Sequence, residues 1–286
     1  MTTRRRLPVP TDRVRLGASR LRVSPLCLGI VRAPATIEAA VEAGLNFFFV
    51  TTDMHWPLYD ATRRGLAALL RSRPGVRDDI VVAGVCYPTQ PEFNRGPFQE
   101  LIDAVPGLGR LDVAVMGGAY AHDCLARLPV YQETRATRFA GVQAIGATFH
   151  DRAAVAPVVN HGLVDIAFAR YNPAHPGARE DLFPLLARGP RTPLFNFTNT
   201  TGYVPLVRRR ELGVPADIWQ PDVTDCYRFA LSRPEIAGLL CSPKTPHQLA
   251  GVLRALERGP LDDAEQNILI NLARLAAGSA VLATSE

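Results

Sequence analysis

Six histidines stand among 286 residues, and several keep chemically useful company. His55 follows Asp53 by two positions and directly precedes Trp56. Histidine titrates near neutral pH, so it serves as acid or base without a second group to tune it. Two residues apart on an extended chain point to the same side, which would let Asp53 orient His55. The competing expectation is that Asp53 caps a turn and His55 packs on Trp56. Tyr120 is followed by His122 and Asp123, a weaker pair for which a solvated loop is the ordinary expectation. Arg170, beside Tyr171 and Asn172, is a cation that would suit an acidic substrate. Tyr87 and Asn196 offer further polar contacts for one. The five cysteines (Cys27, Cys86, Cys124, Cys226 and Cys241) form no CxxC pair and are odd in number. A disulfide framework or zinc ribbon is not expected, and a reducing cytoplasm fits. Cys86 and Cys241 are candidate nucleophiles, against the commoner expectation of buried, inert thiols. No HxH, HxxxH or HExxH spacing gathers the histidines round a metal, and none is expected.

Composition narrows the classes. With 47% hydrophobic and 21% charged residues, the chain is ordinary globular material rather than disordered. No apolar run approaches the roughly 18–20 residues of a membrane span. The basic opening MTTRRRLPVPTDRVRLG has no apolar stretch behind it, so no export signal is expected. The net charge is +5, but of 32 basic residues only Lys244 is lysine. The arginines are scattered, with clumps at 4–6 and 208–210 and no interleaved aromatic platform. A solvated basic surface is expected, not a nucleic-acid site.

Elements must bring these residues together. A hairpin is expected over 16–29, leading into a buried strand, followed by strands at 45–50, 79–85, 111–116, 141–148, 164–172, 192–197 and 236–242. Each is a short apolar run of the kind covered on both faces. Helical spacing recurs between them at 36–42, 60–71, 98–105, 129–135, 152–159, 181–188, 222–231 and 246–256, with a further amphipathic helix at 261–280. About eight strands alternating with about eight helices match a (β/α)8 TIM barrel, which takes roughly 250 residues. An open dinucleotide-binding sheet is the alternative, but no GxGxxG follows a strand. One barrel domain is expected over 1–286, with 1–12 as a flexible lead-in. In such a barrel the functional groups sit at the C-terminal strand ends, where five of the six histidines fall; His161 is the exception.

Several segments, in order, resemble the aldo-keto reductase family. LGASRLRVSPLCLG (16–29) resembles its N-terminal hairpin. AVEAGLNFFFVTTDMHW (40–56) is similar to the family segment "aGin.fDTAd.Y", and DDIVVAGV (78–85) to the strand that ends in its lysine. GVQAIGATF (141–149) resembles "gkiraiGvSnf". The stretch from Val164 through YNP (171–173) resembles "fd..Q..YNp". FALSRPEIAGLLCSPKTPHQLAGVL (229–253) is similar to the closing strand and phosphate loop. The resemblance implies the barrel and, for ordinary members, NADP(H)-dependent carbonyl reduction by an Asp, Tyr, Lys and His tetrad.

The departures bear on function. In register with the family, the Asp position is Val50, the Tyr position His55, the Lys position Val85 and the His position about Gly117. The family's Ser-Asn pair falls at Ala147 and Thr148, its Gln at Phe168 and its Asn near the adenine at about Val252. Ser242 and Lys244 remain where the resemblance places the cofactor's 2′-phosphate. Three functions stay open. The first is non-redox acid–base work (dehydration, cyclisation or isomerisation) on a small organic metabolite, with Asp53, His55, Tyr120 and His122 as catalytic candidates. Trp56, Tyr87, Arg170 and Asn196 would hold the substrate. The second is an NADPH-dependent oxidoreductase using His55 as proton donor. The third is an inactive binding or scaffold protein. The cofactor is thus expected to be none or NADP(H), and the oligomeric state is left open.

Overall fold

The computed structural model describes residues 6–187, 189 and 192–278. Residues 1–5 of the expected lead-in, Arg188 of the helix expected at 181–188, and Ser279 and Ala280 of the last expected helix lie outside them. From Arg6 the chain is engaged. Leu7 is buried, and Asp12 accepts the Val9 N–H and pairs with Arg6.

Eight parallel strands close into a barrel. They are β3 (Leu26–Leu28), β4 (Phe47–Val50), β5 (Val81–Cys86), β6 (Val113–Ala119), β7 (Ala144–Phe149), β8 (Ile166–Arg170), β9 (Leu194–Phe197) and β10 (Ile236–Cys241), with β10 pairing β3 to complete the circle. Strand alternation sends successive side chains to opposite faces. In β4 this turns Phe47 and Phe49 inward, where they meet Phe168 of β8 and Phe195 of β9. The ring centroids of Phe47–Phe195, Phe49–Phe168 and Phe168–Phe195 are 5.9, 5.4 and 5.8 Å apart, all edge-on. Four fully buried phenylalanines thus fill the lumen, in the arrangement the aromatic quadrupole favours. The barrel is a packed core, and its chemistry must lie above this plug.

The hairpin of β1 (Val14–Arg15) and β2 (Arg22–Val23) crosses the N-terminal mouth. The Ala18 N–H donates to Asp165 Oδ1 at 3.1 Å, and the Ser24 N–H donates to Asn46 Oδ1 at 2.7 Å. Asn46 and Asp165 immediately precede β4 and β8, which stand opposite each other in the barrel order. Gly17 permits this closure. Its φ is +42°, and a Cβ there would lie 2.6 Å from Asp165 Cα.

Helices α1 (Ala35–Glu42), α2 (Asp60–Ser72), α3 (Gly96–Ala104), α4 (Cys124–Ala136) and α5 (Val155–Asn160) follow β3 to β7. Next come α6 (Ala178–Asp181) after β8, α7 (Leu206–Glu211) and α8 (Asp225–Leu231) after β9, and α9 (Pro246–Glu257) after β10, with α10 (Asp263–Ala276) last. Three expectations shift. The helix expected to start at Pro129 starts at Cys124, and Pro129 lies inside it. Its missing N–H leaves the carbonyl of Leu125 free, a residue exposed to water. The helix expected from residue 181 is instead the four-residue α6 and a 3₁₀ turn at Phe183–Leu185. The expected start at residue 222 is a turn in which Asp222 caps Thr224, and the helix begins at Asp225. No helix among the described residues is long and apolar enough to cross a membrane.

Candidate active site

The C-terminal strand ends carry the polar side chains, and three buried contacts join the loops there. Arg63 of α2 donates to the carbonyls of Thr51 and Trp56 at 2.9 and 2.8 Å, bracketing the turn that holds His55. Its guanidinium also lies 5.5 Å from the centre of the exposed Trp56 ring. Asp53 accepts the N–H of Met54 and, at 2.5 Å, the N–H of Tyr87. Arg127 of α4, completely buried, donates to the carbonyls of Cys86 and Gly117 at 3.2 and 3.0 Å and pairs with Asp123. The ends of β4, β5 and β6 are therefore fixed to one another. Nothing in a sequence with 31 scattered arginines singles out Arg63 and Arg127 for this role.

His55 stands against Tyr87, edge to face, with ring centroids 4.5 Å apart. Asp53 bonds backbone groups instead of the imidazole, so the contact that orients His55 is an aromatic one. Burial, with Asp53 nearby, pushes the Tyr87 phenol up to about 12. It stays protonated at neutral pH and can donate a hydrogen bond without acting as a readily ionised acid. The Tyr87 ring also occupies the volume in front of Gly117, where a Cβ would lie 2.6 Å from it. A side chain at Gly117 and the ring of Tyr87 exclude each other.

A second group forms across β6, β7 and β9. Tyr120 stacks between His122 and His150 at 5.6 and 6.2 Å, and His150 meets Phe197 edge-on at 5.5 Å. Asp123 is engaged with the Tyr120 N–H and Arg127, so it does not pair with His122. Arg170 ends β8 on the same face as Phe168, directing it toward the mouth above the aromatic plug. Burial, then Arg170, lowers the imidazole pKa of both His150 and His175. His175 is held by Asn172, whose Oδ1 accepts its N–H at 3.0 Å.

Other expected residues have structural duties. Asn196 is fully buried; its Oδ1 accepts the Tyr171 N–H at 2.6 Å and its amide donates to Asn199. Cys86 and Cys241 are buried, and that burial pushes each thiol up to about 12, which leaves neither as a thiolate at neutral pH. Cys86 faces outward, near the Phe93 carbonyl, and Cys241 donates to the Cys27 carbonyl.

Val50 and Val85 are both buried, but on opposite sides of the wall. Val50 pairs with Gly84, whose Cβ would meet Leu101 and Leu111 outside the barrel. Val85 points inward, and the group beside it on β4's continuation is Thr51, whose hydroxyl donates to the Val85 carbonyl at 2.7 Å. The two valines are not a pair.

The residues at the mouth do not fit a nicotinamide carboxamide. Phe168 offers only a ring buried among other rings. The Thr148 hydroxyl is bonded to the Gly118 N–H at 2.7 Å, and the amides of Asn172, Asn196 and Asn199 are engaged within the protein. At the start of α9, the Ser242 hydroxyl accepts the Ile30 N–H at 3.2 Å and Thr245 caps the helix by accepting the Gln248 N–H. The Lys244 side chain is exposed to solvent.

No family model and no curated protein matches the sequence. Solved structures do. The holo form of the aldo-keto reductase AKR11C1 from Bacillus halodurans is 16% identical over 96% of this chain and 99% of its own, with a TM-score of 0.69. Its apo form matches over the same shares with a TM-score of 0.64. A Pseudomonas aeruginosa chain provisionally described as an aldo-keto reductase is 15% identical, with a TM-score of 0.63, over 87% of this chain and 97% of that one. At such identities the likeness is one of architecture, and closed barrel, hairpin and structural neighbours together give this chain the fold of the aldo-keto reductases.

Proposed function

We propose that the chain is an enzyme on the aldo-keto reductase fold that performs acid–base chemistry, not hydride transfer, on a small organic molecule at the barrel's C-terminal mouth. The observation that carries this reading is the His55–Tyr87 pair, 4.5 Å apart and above a lumen sealed by phenylalanine rings. His55 is the proton-transferring group. Tyr87 fixes the face of the imidazole and offers a protonated phenol. Arg63 and Asp53 are positioning residues that hold the segment carrying both. Tyr120, His122 and Trp56 line the entrance. Dehydration, cyclisation and isomerisation can each proceed by proton transfer at such a pair. Use of NADPH with His55 as donor is a second reading, favoured by the exposed Lys244 at the start of α9.

His55→Gln keeps size and hydrogen bonding but removes the proton-transfer function. The expected outcome is turnover of the native substrate slowed by about 10²-fold or more, with an unchanged circular-dichroism spectrum. Full activity in the folded variant would assign His55 to packing.

A further inference from the structure

One side of the barrel mouth carries an apolar rim and the opposite side an unpaired cation, and the two together name a ligand class. Among the described residues, eleven large hydrophobic side chains are exposed: six (Met54, Trp56, Leu58, Phe93, Tyr120 and Leu125) lie in the segments that follow β4, β5 and β6, and four (Leu185, Leu206, Val207 and Val223) in those that follow β8 and β9. Concentrated exposed apolar surface beside a cleft marks a place where something apolar binds. Across the lumen, β8 ends in Arg170. Its Nε is buried with no hydrogen-bond partner, and no carboxylate pairs with its guanidinium among the described residues.

A buried N–H without an acceptor is costly, the more so on a charged group. The carboxylates nearby do not relieve it. A cavity of about 320 Å³ opens beside His150, lined by Asp151, Arg152, Ala153 and Asp181. There Asp181 is held by Arg152, and Asp151 accepts the Ala153 N–H. The histidines flanking Arg170 are held toward their neutral form, so they add no competing anion and little cationic charge. Arg209 of α7 also has unpartnered nitrogens, but it is 4% exposed and closed to solvent, whereas Arg170 is only part-buried at the mouth.

We infer that the ligand of this mouth is a small amphipathic carboxylate, its charged end received by Arg170 and its apolar body by the rim of Met54, Trp56 and Phe93. The inference rests on the reading above that the mouth is a small-molecule site, and it adds the substrate class. A guanidinium offers a carboxylate a planar, charge-assisted pair of hydrogen bonds, and the rim's side chains suit a hydrocarbon or aromatic tail.

Calorimetric titration with 3-phenylpropionate, its neutral amide and acetate tests this without reference to turnover. The acid should saturate the protein, with the amide and acetate each about tenfold weaker or worse. Arg170→Met should abolish the preference for acid over amide, Arg170→Lys should retain part of it, and Trp56→Ala should weaken both acid and amide and leave acetate unchanged. His55→Gln should keep the preference while losing turnover. No saturable binding of the acid, equal affinity for acid and amide, or a preference that survives in folded Arg170→Met overturns the inference while leaving the role of His55 standing. Full turnover in His55→Gln with the preference intact overturns that role and leaves the carboxylate site standing.

Discussion

Gly117 and Tyr87 show how one side chain's absence makes room for another. The ring of Tyr87, which orients His55, lies where any side chain at Gly117 would project. Gly117→Ala should therefore displace Tyr87, cost about 1–3 kcal/mol as an overpacking change, and lower the rate of the native reaction. Urea unfolding and steady-state kinetics on the one variant check both effects. A stable, fully active Gly117→Ala would separate the Tyr87 ring from the chemistry. The Arg170 charge makes a second testable contact. Burial comes first, and Arg170 second, in holding His150 and His175 below the ordinary histidine value; Arg152 adds to the effect at His175. Replacing Arg170 by Met removes a cation and should let both imidazoles titrate at higher pH, as NMR of the ring protons would record. The sign for stability follows. A histidine whose folded pKa is lowered contributes stability above its unfolded value of roughly 6.5, and that contribution is lost as pH falls through the folded value. The wild type should therefore lose more stability than Arg170→Met between neutral and mildly acid pH.

Among the elements, the hairpin depends on one carboxylate. Asp165, buried at the start of β8, accepts the N–H groups of Ala18 and Ile145 and pairs with Arg135 at 2.8 Å. Asp165→Ala would strand two backbone donors beneath the hairpin, a cost of about 2–3 kcal/mol. It should also raise hydrogen exchange across residues 14–23 before the barrel itself opens. Unchanged exchange there would mean that the Asn46 contacts alone anchor the hairpin. This element was legible in advance because alternation and a glycine-centred turn are local signals, and so was the run of buried strands. Pro129 reads as a helix start because proline is over-represented in first turns, whereas here residues 124–128 already supply a helix and an exposed carbonyl tolerates the gap. α7 escaped notice within the long connection after β9, where LVRRRE (206–211) has no apolar period. At the mouth, residue types pointed to His55, Tyr87 and Arg170. Their partners did not: Asp53 was expected either beside His55 or as a turn cap, and it accepts the N–H groups of Met54 and Tyr87. Contacts between loops of different strands depend on barrel closure, which no short window of sequence encodes.

At the scale of the whole molecule, architecture and chemistry answer to different demands. Architecture follows from many small agreements: eight apolar strands, covering helices and a hairpin that seals one end. These tolerate wide exchange of residues, as 16% identity over 96% of the chain demonstrates. Hydride transfer tolerates far less, because it needs a cofactor carboxamide held in place and an acid poised beside it. Here the inward positions present Val85, Thr148 bonded to Gly118, and Phe168 of the plug itself. The chain's one lysine stands at the start of α9, after the last barrel strand. Positioned acid catalysis contributes about 10²–10⁴-fold, so with NADPH and simple aldehydes we expect turnover several kcal/mol below that of an efficient reductase, which is about 10³-fold or more in rate. Fluorescence titration of NADPH into the protein, followed by addition of aldehyde, measures binding and turnover in one sample. Enhanced nicotinamide fluorescence with rapid oxidation, abolished in His55→Gln, would establish the reductase reading. Binding without oxidation, weakened in Lys244→Met, would place a phosphate on Lys244 without hydride transfer at the mouth. The expected result is neither binding nor oxidation, because the buried amides of Asn172, Asn196 and Asn199 at the strand ends are already engaged within the protein.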